Sequence, residues 1–270
     1  MAAVIGAAGQ RSFGPSILRW AILLSIGVYM LLPLVAMLEF STRGIGGARS
    51  IAPWLAIGEN DDLLDAIRVS LVLAVLTVVL MLVLLVPTMV WVQLRLPGLL
   101  RLVEFICLLP LTIPAIVLVV GLAPVYQWVW GLLGESPNTL TFVYAVLVLP
   151  FAYRALAAGL GTLDLVTLAE AGRSLGCSWF GVIWRIVVPN IMGAIMSAAL
   201  ISVALVLGEF TISSLLNFET VQVVINLLGK RNASIAVAVS LAALLLATAL
   251  LFLLSFIDQS GRAKVRAEDQ

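Results

Sequence analysis

Six long apolar runs, divided by shorter segments that hold most of the charge, set the pattern of this chain. The runs cover 17–38, 67–91, 103–126, 140–157, 189–207 and 234–257, each near or above the roughly 20 residues a helix needs to cross about 30 Å of hydrocarbon. Period-two alternation is missing, which disfavours a barrel. Helices satisfy their own backbone groups where water is absent, so the pattern predicts an all-α membrane protein with six transmembrane helices. The first run follows Arg11 and Arg19. It is longer than the core of a secretion signal and lacks a small-x-small cleavage site, which predicts a retained anchor.

Composition agrees with a bilayer setting. Hydrophobic residues make up 63% and charged residues 11% of the 270 positions, with a mean hydropathy of +1.18, whereas soluble domains carry about a quarter charged residues. One polytopic domain is the economical reading. The net charge of +1 and the lack of a basic face argue against a nucleic-acid partner. Cys107 and Cys177 have no ligand-like spacing, and histidine is absent, so neither a metal site nor the commonest general base is expected. Of the 15 Lys and Arg residues, only Arg43, Arg49, Arg68, Lys230 and Arg231 fall outside if the N-terminus is cytoplasmic. That bias predicts both termini inside.

The segment joining the fourth and fifth runs has internal structure. Asp164 can cap a short helix in which Leu165, Leu168, Gly172 and Leu175 follow helical spacing, with Glu170 and Arg173 on a more polar flank. Gly176 stops that helix, because a residue without Cβ accepts a left-handed backbone. Ser178 can cap a second helix carrying Trp179, Phe180, Ile183, Trp184 and Val187, and Pro189 is expected as the first residue of the next transmembrane helix. Such an amphipathic hairpin suits insertion into a partner's groove, although similar helices also simply lie in the membrane interface.

The spacing Glu170-Ala171-Gly172, then Gly176, then after nine residues Ile186-x-Val188-Pro189 resembles the "EAA" loop of bacterial ABC-importer permeases. That pattern is Glu-Ala-Ala, three residues, Gly, nine residues, Ile-x-Leu-Pro. Gly172 replaces its second Ala and Val188 its Leu, both conservatively. The phrases Leu109-Pro110-Leu111-Thr112-Ile113-Pro114 and Leu207-Gly208-Glu209-Phe210-Thr211 extend the resemblance over about 64–257, to the permeases for polyamines, ferric iron, phosphonates, thiamine, sulfate and molybdate. Length and the extra N-terminal helix look most like the spermidine/putrescine group.

The resemblance implies a type I ABC importer permease fold: a cytoplasmic segment 1–16, a six-helix domain 17–257 that includes a cytoplasmic coupling loop 158–188, and a cytoplasmic tail 258–270. It implies a multi-pass protein of the bacterial inner membrane, surrounded by lipid. Its expected partners are a second permease, of a different paralogue, two ATPase subunits and an extracytoplasmic binding protein. The chain itself is expected to be no enzyme and to hold no cofactor. Gly229-Lys230 has Val224 where a phosphate loop needs Gly and Arg231 where it needs a hydroxyl, so ATP and Mg belong to the ATPase partners. Asp164, Glu170, Ala171, Gly172, Gly176, Ile186 and Pro189 are the expected coupling residues. Polyamine-type cargo is the first expectation; ferric iron, phosphonate, thiamine or an oxyanion are the alternatives.

Glu209, Pro110 and Pro114 are candidates for the translocation pathway. An ionisable residue at a membrane helix end is a pathway candidate by default, though Glu209 can equally anchor the helix to a neighbour. Prolines kink membrane helices and free carbonyls. Gly193 with Ser197, and Ala194 with Ala198 and Ser202, place small residues where a second helix can approach. Two other classes compete. An ion-coupled secondary transporter would need midplane acids or inverted repeats, and an intramembrane enzyme would need a nucleophile and base; neither pattern is present.

Overall fold

The computed structural model of the protein describes residues 13–44, 48–246 and 248–249. Most of the expected N-terminal segment, the last part of the sixth run and the expected C-terminal tail therefore lie outside the described residues. Those residues are almost entirely helical, with only an isolated antiparallel bridge between Arg43 and Arg49.

The helices run in chain order: α1 Phe13–Ser41, α2 Ala52–Gly58, α3 Asp61–Arg95, α4 Leu100–Leu108, α5 Ala115–Leu133, α6 Leu140–Leu160, α7 Leu165–Ser174, α8 Trp179–Gly181, α9 Val188–Asn190, α10 Met192–Gly208, α11 Thr211–Leu215, α12 Val221–Arg231 and α13 Ala233–Leu246. By length and composition five helical stretches can cross a membrane: in α1, in α3, in α5, over Pro137–Leu160 and over Met192–Leu215. The shorter apolar α13 stands in the place of the sixth.

The core is built on α3, α6 and α10, which pack pairwise. Asn60 starts α3 by accepting a hydrogen bond from the Leu63 amide at 2.9 Å, and Asp61 and Asp62 in its first turn complement the helix dipole. Its inward face runs Leu63, Ala66, Ser70, Leu73, Thr77 and Met81 at steps of three and four, with Ala74 beside them. At 35 residues and about 1.5 Å per residue, α3 is longer than the hydrocarbon is thick. Its last turn, with Arg95, therefore projects towards the segment that follows α6. By contrast, the most apolar stretch of α1 buries nothing against the described residues. Its far end is tied down where the Trp54 indole donates to Ser41 Oγ at 3.2 Å.

The third run departs from expectation. Instead of one helix over 103–126, the chain makes α4, a tight turn Leu109–Thr112, an extended Ile113 and then α5. Pro110 has no amide to continue α4. Pro114 drives the residue before it out of the α region, and Ile113 sits at φ −103, ψ 117. The crossing thus shifts to Ala115–Leu133, and Pro124 remains within it.

The fifth run also starts later than expected. Pro189 sits in the one-turn α9, and Ile191, at φ −106, ψ 17, separates that turn from α10. The small-residue stripe divides: Ala198 and Ser202 are fully buried, Ala194 lies against Gly159 of α6, and Gly193 and Ser197 face outward. The close approach expected from the spacing is therefore made, on one of the two stripes, by this chain's own α6.

A second, smaller core forms where Val221 and Val224 of α12 meet Leu63 and Ala66 of α3 and Val239 of α13. Ser70 pins this helix by accepting from the Val221 amide at 2.9 Å. Neither α2 nor α12 is apolar enough to stand out as a run, and both fall in stretches read as connecting segments.

Candidate functional site

The segment between α6 and α10 is a capped hairpin. The Asp164 carboxylate accepts from the Thr167 amide at 3.2 Å and from its hydroxyl at 2.7 Å. The hydroxyl, and then the amide, hold this exposed carboxyl below its usual range. From that cap, α7 turns Leu165, Ala169 and Gly172 inward. Leu175, expected on the same face, is 87% exposed, because the helix ends there and the chain swings away.

The stop is a Schellman turn. The Gly176 amide reaches the Arg173 carbonyl and the Cys177 amide the Gly172 carbonyl, both at 3.0 Å, while Gly176 takes φ +86. Arg173 reinforces the end by donating to the Cys177 carbonyl at 2.7 Å. Ser178 then caps the second arm, accepting from the Gly181 amide at 3.1 Å. That arm is a single α turn followed by a wide π turn, Val182–Val187, rather than one regular helix. Pro189, which cannot donate, follows at once.

The two arms touch through Gly172 and Ile186: a Cβ on Gly172 would overlap Ile186 Cδ1. The hairpin thus brings Gly172 and Ile186 together inside, while Asp164 and Gly176 shape it from exposed positions at its cap and turn. Glu170, Ala171 and Pro189 are exposed on its outside. The hairpin also exposes Val166, Leu175, Phe180 and Trp184, by 53%, 87%, 71% and 42% respectively. Phe180 and Trp184 pack at 5.8 Å between ring centroids.

The sequence reading missed the arrangement beneath the hairpin. Trp179 meets Trp91 edge-on at 6.0 Å, and the Arg95 and Arg173 guanidiniums lie 4.3 and 5.3 Å from its ring centroid. Trp91 and Arg95 are one turn apart on α3, with Arg95 also over Trp91 at 5.9 Å. That pair was visible as an aromatic and a cation at the end of a run; its partner on the hairpin was not.

Glu209 occupies the break between α10 and α11, and it is only 9% exposed. Its carboxylate accepts from the Tyr144 hydroxyl at 2.9 Å, the Ile212 amide at 2.8 Å and the Ser213 amide at 3.3 Å. Thr220 extends the cluster by donating to Ser213 Oγ at 3.0 Å. Pro110, half-buried, and Pro114, exposed, lie apart in the α4–α5 break.

Apolar crossings around an α3–α6–α10 core, with a capped hairpin standing off one end, define a multi-pass helical membrane protein. Residues 74–263 match the family described as "Binding-protein-dependent transport system inner membrane component", and the chain belongs to it. It is also 30% identical over 176 residues, 60% of this chain, to the "Sulfate permease 2, chloroplastic" of Chlamydomonas reinhardtii. The aligned region spans 47% of that relative's length.

Proposed function

We propose that this chain is half of the translocation pathway of an ATP-driven importer and that the 158–188 hairpin couples it to a cytosolic ATPase subunit. The observation that carries the reading is the hairpin's build. Both arms are capped by side chains and the turn is fixed by Gly176, so Glu170, Ala171 and the apolar Val166, Leu175 and Phe180 are presented on a surface already rigid before any partner arrives. The Lys and Arg bias supports a cytoplasmic hairpin, with both termini on the same side. Two ATPase subunits, which bind ATP and Mg, a second permease of a different paralogue and an extracytoplasmic binding protein complete the assembly. This chain works without catalysis of its own.

In this mechanism, closure of the ATPases around ATP moves the hairpins together. Since Trp179 rests against Trp91 and Arg95, displacement of the hairpin is transmitted directly to α3, and through α3 to α6 and α10. The test is uptake and ATP hydrolysis by the reconstituted assembly. Glu170→Ala should leave the permease inserted but uncouple hydrolysis from uptake, and normal uptake at normal protein levels would refute the coupling role.

Two cargo readings rest on different observations. The polyamine-type reading rests on the resemblance in length and helix order. An oxyanion is favoured by the sulfate permease named above and by Glu209, whose negative charge is already met by three internal donors. Titrating the partner binding protein with spermidine and with sulfate separates them.

A further inference from the structure

A cleft of about 540 Å³ opens between the last turn of α3 and the first arm of the hairpin, lined by Leu94, Arg95, Ala169, Glu170, Arg173 and Trp179 among others. Among the described residues its charged side chains make no ion pair, and Arg173's hydrogen bond is to the neutral Cys177 carbonyl. The ion pairs among the described residues are Arg43–Glu39, Arg68–Asp65 and Arg154–Glu104, and none of them uses Arg95, Arg173 or Glu170. Two guanidiniums beside one indole repel each other and leave a positive potential that an anion would relieve. The ring fixes them in place, so little side-chain entropy remains to be lost on binding.

We infer that this cleft receives an acidic side chain of the ATPase subunit, held by Arg95 and Arg173 together, while Glu170 on the same rim meets a basic one. The inference rests on the coupling role proposed above and adds to it a contact on α3, outside the hairpin. The mixed signs decide the occupant. A phosphate-bearing lipid headgroup would suit the arginines but be repelled by Glu170, whereas a protein surface supplies both signs at side-chain spacing. Arg95 at the last turn of α3 and Arg173 at the last turn of α7 also sit where helix dipoles favour cations, which helps hold both guanidiniums at the cleft.

The experiment is co-expression of the full chain with its ATPase subunit and measurement of complex dissociation over a range of salt, in nanodiscs of neutral and of anionic lipid. The double charge reversal R95E/R173E should weaken the complex about tenfold or more and flatten its salt dependence. The pair R95K/R173K, which keeps the charge but alters the stacking, should recover most of the affinity. Wild-type affinity in R95E/R173E, with Glu170→Ala still weakened, overturns this inference and leaves the coupling role standing. Absence of any ATPase from the wild-type chain overturns the coupling role itself. Loss of affinity in the lysine pair equal to that in the reversal, in step with thermal stability, reduces the stack to a structural prop. Loss confined to anionic nanodiscs makes the cleft a lipid site; either of these last results also overturns the inference.

Discussion

Tyr144 and Glu209 meet across the break between α10 and α11, the phenol donating to the carboxylate at 2.9 Å while both are buried. The same carboxylate caps the amides of Ile212 and Ser213, so one side chain closes the gap that α10 leaves on ending and fastens it to α6. Removing the phenol strands part of a buried charge. Tyr144→Phe should lower stability by about 1–3 kcal/mol, read as a drop in the unfolding midpoint in detergent. Glu209→Gln, which keeps an acceptor, should be milder than Glu209→Ala. If uptake kinetics change in Glu209→Gln while its stability does not, the residue touches cargo rather than bracing the break.

Gly176 is held at φ +86, yet a Cβ there would meet nothing within 4 Å. The penalty for a side chain is therefore one of backbone conformation alone, and it should not grow with size. Gly176→Ala and Gly176→Leu are both expected to cost about 1 kcal/mol, and Gly176→Asn much less, because Asn tolerates the left-handed region. Amide exchange across Arg173–Ser178 measures this directly. A strong dependence on side-chain size would mean that the turn faces something bulky, such as a docked subunit.

Local chemistry was legible in the sequence wherever one residue decides it. Asp164 and Ser178 cap the arms as their types and positions imply, and Gly176 takes the positive φ its place requires. Where two local rules compete, the pattern was silent. The apolar run 103–126 reads as a span and Pro110 and Pro114 read as punctuation, and only packing settles that the prolines break the helix and move the crossing to α5. Leu175 shows the limit of periodicity: its spacing points inward, but the helix stops beneath it. The grouping of Arg95, Trp91, Trp179 and Arg173 depends on which helix end lies beside which turn. No window of sequence contains that information.

Asp164 gives a pH dependence of definite sign. Its carboxyl is held below the ordinary range by the Thr167 hydroxyl and amide, so the charged form is favoured in the folded hairpin. That contribution is fully present above the unfolded value, roughly 3.9, and is lost as pH falls through the lowered folded value. The hairpin's N-cap should therefore be unaffected between neutral and mildly acidic pH and weaken only in strong acid. Protection of the Thr167 amide, corrected for intrinsic exchange, should follow that curve. Asp164→Asn, which still accepts a hydrogen bond, should remove the acid limb while keeping the cap at neutral pH. A loss of protection near neutral pH would show that another group governs the turn.

Gly159 and Gly172 both sit where a Cβ would overlap a neighbour, and the neighbours differ in how they can yield. At Gly172 the obstacle is the terminal Cδ1 of Ile186, which can rotate away; at Gly159 it is the Cβ of Ala194, fixed to the backbone of α10. Gly172→Ala should therefore be tolerated, with Ile186→Val alongside it removing what strain remains. Gly159→Ala must push the last turn of α6 from the first turn of α10, and overpacking of this kind costs about 1–3 kcal/mol. Unfolding midpoints of the two alanine variants, measured side by side, test the contrast: equal midpoints would mean that α6 and α10 already have room to part, and the tight crossing would not govern the core.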